Sequence, residues 1–504
     1  MAFTFSSLRA RGLRAALLGM AATQVLAACT MIPKYKRPQP PLATTWPAYQ
    51  TTGSAKEARS AYDLGWRDFF TDPRLQALIT IALRENRDLR SAAASVAEAQ
   101  GAYDVQHAGL FPKINATGGP MYMGPSEAAG LSFAPGLDSG KNPGTFRYYQ
   151  GGIGFSSYEI DLFGRIRSLT RESAESAFSQ VATMRSTLIS VVSQVATAYV
   201  TWLGDRETLA LAESTLANQK DNLRLIEDTY RHGEGNLLSV RQAETQVEQS
   251  ATLRTSAQQK IAQDENLISL LIGAPIPADL PAPQPLGAQT ILADLPAGVP
   301  SDVLEDRPDI IAAEHSLLAA QADIGAARAA FFPRITLTAT DGISSLQFHK
   351  LFTSAATTWG LNPSFQIPIW NWGENSGNLY ASKARRDGKV AAYEKAVQSA
   401  FREVADALAS RKAYLDEKQQ ADALVTSAGD AYRLARMRFD AGTDSYLTTL
   451  ESQRYFLQAQ QNQITVAVAK YQNLITIYRA LGGGWHERTA PAVTNAATPL
   501  SKPA

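Results

Sequence analysis

From Val181 onward, apolar side chains return at every seventh position: Leu188, Val195, Trp202, Leu209, Leu216, Leu223 and Tyr230, with Met184, Val191, Ala198 and Ile226 interleaved. A sustained heptad predicts helices wrapped on helices. Helix running unbroken from Ser168 to His232 would measure about 98 Å at 1.5 Å per residue, several times a domain diameter, so no compact globule holds it. Glycine supplies a turn at Gly233-x-Gly235-Asn236, and the pattern resumes from Leu237 to Ile272 through Val240, Val247, Ile261 and Ile268. A second pair is predicted from Gly377 to Ala441 and from Ser445 to Leu481, turning at Gly442. Its heptads are weaker, with Val390, Val397 and Val404 giving way to Arg411 and Lys418. By periodicity alone, a coiled-coil scaffold that transports nothing accounts for all of this.

A different period separates the helices. Trp359, Leu361, Pro363, Phe365, Ile367 and Ile369 fall on one face, and Gly360, Asn362, Ser364, Gln366 and Pro368 on the other. Apolar-out, polar-in alternation over about ten residues is what a tilted strand needs to cross a bilayer. Ile335, Leu337 and Ala339 alternate with Thr336, Thr338 and Thr340, and Ile114 and Ala116 with Asn115 and Thr117. A fourth strand, Phe146 to Ile160, alternates poorly and is expected mainly from the repeat described next. A soluble sheet with one wet face would alternate too, but here the polar side is Thr, Ser, Asn and Gln rather than Lys and Glu. Four strands cannot close a barrel, and lipid does not tolerate open sheet edges, so the chain must oligomerise. Eight strands from a dimer would fill their own interior, so three chains and twelve strands are the smallest set that leaves a channel.

The body of the chain is one unit written twice. Leu83-x4-Asp88, Ala99-Gln100 and Phe111-Pro112 return as Leu304-x4-Asp309, Ala320-Gln321 and Phe332-Pro333, each 221 positions on. Gly164 and Gly373, Gly233 and Gly442, and Leu271-Ile272-Gly273 and Ala480-Leu481-Gly482 are 209 apart. The first copy therefore carries 12 extra residues, placed in the Gly-, Pro- and Ser-rich stretch Gly118 to Gly144, which reads as a long exposed loop. The expected organisation is a signal peptide over 1–28, an N-terminal linker over 29–60, a first repeat over 61–273, a linker over 274–300, a second repeat over 301–485 and a flexible tail over 486–504.

Composition narrows the reading. Of 504 residues, 48 are Lys or Arg and 47 Asp or Glu, so a formal charge of +1 gives no argument for a nucleic-acid partner. With one cysteine there is no intrachain disulfide and no cysteine-clustered metal site. That cysteine ends the run Leu26-Ala27-Ala28-Cys29, behind Arg9, Arg11 and Arg14 and an apolar stretch from Ala15 to Ala28 too short to span a bilayer. The run resembles the lipobox of bacterial lipoproteins. It implies a mature chain starting at Cys29 with an S-diacylglycerol and an N-acyl (palmitate-type) lipid, and Thr30 rather than Asp implies passage to the outer membrane. Each buried CH₂ of such a lipid contributes about 0.8 kcal/mol.

Further motifs carry a resemblance over nearly all of the mature chain. They are Trp66-x2-Phe69-x2-Asp72-Pro73-x-Leu75 leading to Asn86-x-Asp88-Leu89, Tyr158-Glu159-Ile160-Asp161-Leu162-Phe163-Gly164-Arg165, and Val299-Pro300-Ser301-Asp302-x-Leu304-x2-Arg307-Pro308-Asp309-Ile310. Asp444-Ser445-Tyr446-Leu447 and Ala480-Leu481-Gly482-Gly483-Gly484-Trp485 complete the set. The chain resembles the outer membrane factor family, the TolC-like efflux ducts, in its NodT/OprM-type lipoprotein branch. The resemblance implies an α+β membrane protein: a homotrimer with a 12-stranded outer-membrane β-barrel, four strands per chain, and a long periplasmic α-helical coiled-coil barrel. The chain ends and the 274–300 linker would form an equatorial collar. As partners it implies a periplasmic adaptor (membrane fusion protein), an inner-membrane pump of the RND type and outer-membrane lipid. Drugs or other small solutes would leave the cell through the duct, which would contribute to antibiotic resistance. The exit duct of a type I protein-secretion system is the alternative.

By the same resemblance the turn at Gly442 is the periplasmic gate. Leu447 takes the place of an apolar constriction ring and Glu451 that of an acidic ring, each present three times in a trimer. Facing carboxylates would repel, favour cations and raise their own pKa values. Arg436, Arg438 and Arg454 stand where they could pair with acids to hold the tip shut, or could be ordinary solvated charges. Phe439 replaces the tyrosine of many members and Thr448 a second acid of some. No phenolic latch is therefore expected at 439, and the gate should rest on packing of Leu447 with fewer polar links.

No enzyme chemistry emerges. His107, His232, His315, His349 and His486 lack ligand spacing, and Gly151-Gly152-x-Gly154 lacks the strand-to-helix context of a phosphate loop, so it reads as strand glycine. Glu159-x-Asp161 has no nucleophile beside it and is expected to cap the following helix or to face the pore mouth. No cofactor or metal is expected beyond the covalent lipid on Cys29.

Overall fold

A computed structural model describes residues 30–39, 64–123, 146–289 and 307–489. Cys29, the signal peptide, residues 40–60 of the first predicted linker, residues 290–300 of the second and residues 490–504 of the C-terminal tail lie outside the described residues. The chain divides into two compact units, each drawn from both sequence repeats: residues 1–38, 97–179 and 314–391 make one, and residues 39–96, 180–313 and 392–504 the other.

The first unit holds the sheet. Strands β1 (Asn115–Met123), β2 (Phe146–Ile160), β3 (Arg334–Ser345) and β4 (Thr357–Gln366) pair antiparallel in the order β1-β2-β3-β4. Residues directly opposite share a face. Trp359, Leu361, Pro363 and Phe365 face the partners Asp341, Ala339, Leu337 and Ile335, which in turn oppose Ile153, Phe155, Tyr158 and Ile160. The other face carries Thr336 against Ser364, Thr338 against Asn362, and Gln150 against Ser344. The Thr336 and Ser364 hydroxyls are 2.7 Å apart.

A bulge explains why β2 alternates poorly. Its register shifts between Phe155 and Tyr158, and Ser157 adopts φ 56° while its N–H donates to Thr338 Oγ1 at 3.2 Å. The one extra residue brings Tyr158 and Ile160 back to the apolar face beside Ile153 and Phe155. At Gly154 the backbones of β2 and β3 approach so closely that a Cβ would overlap the Ala339 carbonyl. Two expectations are corrected here. Gly118 to Met123 belong to β1 and not to an exposed loop, and β4 ends at Gln366, so Ile367 and Ile369 lie beyond it. Proline at 368 has no N–H to continue the ladder.

The sheet is tied to its helices by the motifs of both copies. Phe163 and Phe332 stack with ring centroids 4.7 Å apart, and the Tyr158 hydroxyl donates to the Leu110 carbonyl at 3.0 Å. Helix α4 (Arg165–Arg231) begins with Arg165 forked onto Glu159 at 2.8 and 2.7 Å, while Asp161 Oδ2 accepts from the Arg167 backbone N–H at 2.8 Å. Glu159-x-Asp161 is therefore a helix start. The N-terminal segment lies along helix α6 (Pro308–Ala329). Arg37 pairs with Glu314 at 2.6 Å, Gln321 donates to the Pro33 carbonyl at 2.8 Å and Arg328 to the Met31 carbonyl at 3.3 Å. His315 packs against the fully buried Glu175, with Nδ1 and Oε2 2.6 Å apart.

The second unit is helical. It contains α1 (Trp66–Phe69), α2 (Pro73–Glu85), the start of α3 (Arg87–His107) and most of α4. To these it adds α5 (Leu237–Ile272), most of α7 (Glu374–Asp440) and α8 (Tyr446–Ala480). Predicted helix ends fall within three residues of these bounds. Helix α4 has a stretch apolar enough to cross a membrane, but 67% of that stretch is buried, as a core helix requires. Val195, Val191, Ala198, Trp202, Leu216 and Ile226 of its heptads are buried. Where the second copy's heptads fail, Lys418 pairs with Asp422 at 2.5 Å and Gln463 of α8 donates to Asp422 at 2.6 Å, so polar links continue the seam.

The family-like motifs build one end of this unit. Buried Asp72 caps α2 by accepting from Arg74 N at 2.8 Å, and its second oxygen accepts from Tyr199 Oη at 2.8 Å and Gln289 Nε2 at 2.7 Å. Phe69 stacks on Tyr478 at 3.9 Å. Buried Arg307 donates to the Ala480 carbonyl at 2.7 Å, closing the α8 C-terminus, and forks onto Asp309.

Candidate functional site

The α7–α8 turn is closed by backbone geometry. Gly442, at φ +71°, lets its own N–H reach the Phe439 carbonyl at 2.9 Å and the Thr443 N–H reach Arg438 at 3.0 Å. Asp444 then opens α8, accepting from Ser445 N at 2.8 Å and Thr448 Oγ1 at 3.1 Å, and Arg438 Nε pairs with its other oxygen at 3.2 Å. These bonds, that from Ser445 first, hold the Asp444 carboxyl below its ordinary range.

Behind the turn, Ile226, Val240, Ala243 and Tyr446 form a small buried core against which Leu223 and Phe439 pack. The Phe439 and Tyr446 rings lie 5.5 Å apart. A polar chain runs along this core. Asn222 Nδ2 donates to Tyr446 Oη at 2.9 Å, Arg436 Nη1 donates to Asn222 Oδ1 at 3.2 Å, and Arg436 Nε donates to Asp440 Oδ1 at 3.0 Å. It ties α4 to both α7 and α8. Burial raises the Tyr446 phenol above its ordinary value, with the Asn222 bond opposing.

The six tip residues singled out from sequence thus take different places. Arg436 and Arg438 pair with Asp440 and Asp444, and Phe439 is a packing residue. Leu447 is 50% exposed and Glu451, one turn on, is exposed on the same side of α8. Arg454 meets no carboxylate within ion-pair distance among the described residues and instead lines a cavity of ≈ 160 Å³ with Gln219, Gln246, Gln249, Gln453 and Gln458. Within the chain, Tyr446 packs beside Phe439 and brings a phenol to Asn222, while Leu447 is left half exposed. Asn222, central to the chain, carried no signal in the sequence beyond lying one residue before a heptad leucine. Among the described residues no group of three His, Cys, Asp or Glu side chains could hold a metal.

A four-stranded sheet with one apolar and one Thr/Ser/Asn/Gln face, open at both edges, defines the wall of a membrane channel, and the same chain forms two hairpins of long helices, of 67 and 36 residues and of 67 and 35. The chain belongs to the outer membrane efflux protein family, whose profile matches residues 78–274 and 299–483, once for each repeat. It is 42% identical over 490 residues to the toluene efflux pump outer membrane protein TtgC of Pseudomonas putida, covering 96% of this chain and 99% of that one. It matches the antibiotic efflux pump outer membrane protein ArpC of Pseudomonas putida to the same extent. The open state of the MtrE outer membrane channel of Neisseria gonorrhoeae superposes with a TM-score of 0.83 at 35% identity, covering 92% of this chain and all of MtrE. The chain is an outer-membrane channel of an efflux pump, and its family is one of transport proteins.

Proposed function

We propose that three copies of this chain close a twelve-stranded barrel and serve as the exit duct of a tripartite pump, receiving solutes from an inner-membrane transporter of the RND type through a periplasmic adaptor. The single observation that carries the trimer is the sheet itself: β1 and β4 have unpaired edges, and a sheet in lipid must close. The solutes are small and largely apolar, as the names of the toluene and antibiotic relatives suggest. Those names also favour efflux over protein secretion. Cys29 carries the lipid anchor, and the N-terminal segment seated on α6 leads toward it. The tip around Gly442 is the gate, with Leu447 and Glu451 facing the pore axis.

The test is accumulation of a fluorescent efflux dye, with solvent and antibiotic susceptibility, in a strain deleted for this chain and complemented with it. Raised accumulation restored by the full chain is expected. Unchanged accumulation, with altered secreted proteins instead, would move the reading to protein secretion.

A further inference from the structure

The apolar face of the sheet does not stay apolar to its end. Along β2, Ile153 and Tyr149 lie on that face, and Arg147 follows, opposite Tyr122 of β1. The Arg147 guanidinium sits over the Tyr122 ring at 5.6 Å from its centroid. This is the loop end of the sheet, since the opposite end joins the helices. Arginine on a lipid-facing surface is costly in hydrocarbon and is relieved at headgroup depth, where it meets anionic oxygen.

The β3–β4 connection completes the patch. Residues Phe348–Lys350 and Ser354–Ala356 form two 3-10 turns, held by bonds from Lys350 N to Gln347 O at 3.1 Å and from Ala356 N to Thr353 O at 3.0 Å. Leu351 and Ala356 are buried beneath it. Phe348 meets the Tyr149 ring at 5.4 Å and Phe352 at 6.1 Å, which places the loop's aromatic edge beside the apolar face. Phe348 is nevertheless 60% exposed, Phe352 75% and Trp359 77%. His349 and Lys350 are exposed in the same turn. Asp341 is the acid on this face among the described strand residues; opposite Ile153, it is six residues along β2 from Arg147, about 20 Å at 3.3 Å per residue, and neutralises little of that charge.

Ordered aromatic rings left bare beside cations that meet no carboxylate among the described residues match a ligand with acyl chains and a phosphate headgroup. We propose that this end of the outward face is a binding site for a phosphorylated lipid of the outer leaflet, with Arg147 and Lys350 on the phosphate and Tyr149, Phe348 and Phe352 along the chains. The site rests on the reading that the sheet's apolar face meets lipid. Its charge complementarity selects the phosphorylated lipid over a neutral one, and its rings select a lipid over free phosphate.

Full-length protein in neutral detergent, doped with diphosphorylated lipid A, tests it. Lipid retained per chain after gel filtration is counted by mass spectrometry, with dephosphorylated lipid A and excess inorganic phosphate as the other arms. Retention should fall about tenfold for the dephosphorylated lipid and for Arg147→Gln/Lys350→Gln, and for Phe348→Ser/Phe352→Ser. Inorganic phosphate should not compete. Equal retention of both lipids, displacement by inorganic phosphate, or retention unchanged in Arg147→Gln/Lys350→Gln would overturn the site. Planar-bilayer conductance is measured on the same variants: lost lipid with wild-type conductance supports the site, and retained lipid with wild-type conductance overturns it, independently of whether the sheet forms a channel.

Discussion

The polar chain at the tip sets the cost of freeing α8 from α4. Asn222 is 6% exposed and bonds Tyr446 on one side and Arg436 on the other. Asn222→Ala removes both bonds and leaves the buried Tyr446 hydroxyl without its donor. A net hydrogen bond contributes about 0.5–1.5 kcal/mol, and a buried group left unsatisfied costs about 1–3 kcal/mol. Arg436 keeps Asp440 and is 32% exposed, so its loss adds little. The change therefore weakens each tip by about 1–3 kcal/mol. If three chains open together, the lower end sums to about 3 kcal/mol, roughly a 150-fold shift toward the open duct. Single-channel recording in planar bilayers reads this as open probability. Tyr446→Phe should open the duct comparably, and the double variant should open it little further, because both remove the same bond. Additive effects of the two substitutions, or an Asn222→Ala channel that stays as closed as wild type while remaining trimeric, would refute the latch.

Three other outcomes follow from the same contacts. Burial raises the Asp264 carboxyl to about 6, with the Asp205 charge and hydrogen bond adding, Glu265 adding and Lys260 opposing. The unfolded group titrates near 3.9, so this contribution is present at low pH and is lost as pH rises through about 6; Asp264 therefore favours melting at a higher temperature at pH 5 than at pH 7.5, and Asp264→Asn should shrink the gain at pH 5. Gly154→Val should prevent the β2–β3 pairing and leave no assembled channel in outer-membrane fractions, whereas Ile153→Val beside it should assemble normally. Glu451→Gln should lower cation selectivity, read as reversal potential across a salt gradient, and leave melting unchanged, since Glu451 is exposed and forms no ion pair among those found at the tip.

The helices were legible because their pattern is redundant. Eight heptad positions from Val181 to Tyr230 repeat one statement, and the glycine turns at Gly233 and Gly442 punctuate it, so α4 and α5 fall within three residues of expectation. The strands were legible only in part. Period two has no redundancy against an inserted residue: the bulge at Phe155/Tyr158 inverts the parity of everything after it, and a straight reading of β2 places Tyr158 and Ile160 inside the channel. The internal repeat recovered the strand, but not its faces. The tip shows a third case. Its charged residues could be named from sequence, whereas their partners could not, because Asn222 and Tyr446 are 224 positions apart and meet only through the packing of three helices. The rings of Phe439 and Tyr446 enter the same small core, and the one at 446 carries the phenol. In this chain the hydroxyl reaches Asn222 from α8, across 224 positions of sequence, and only the packing that sets Tyr446 beside Phe439 makes the link readable.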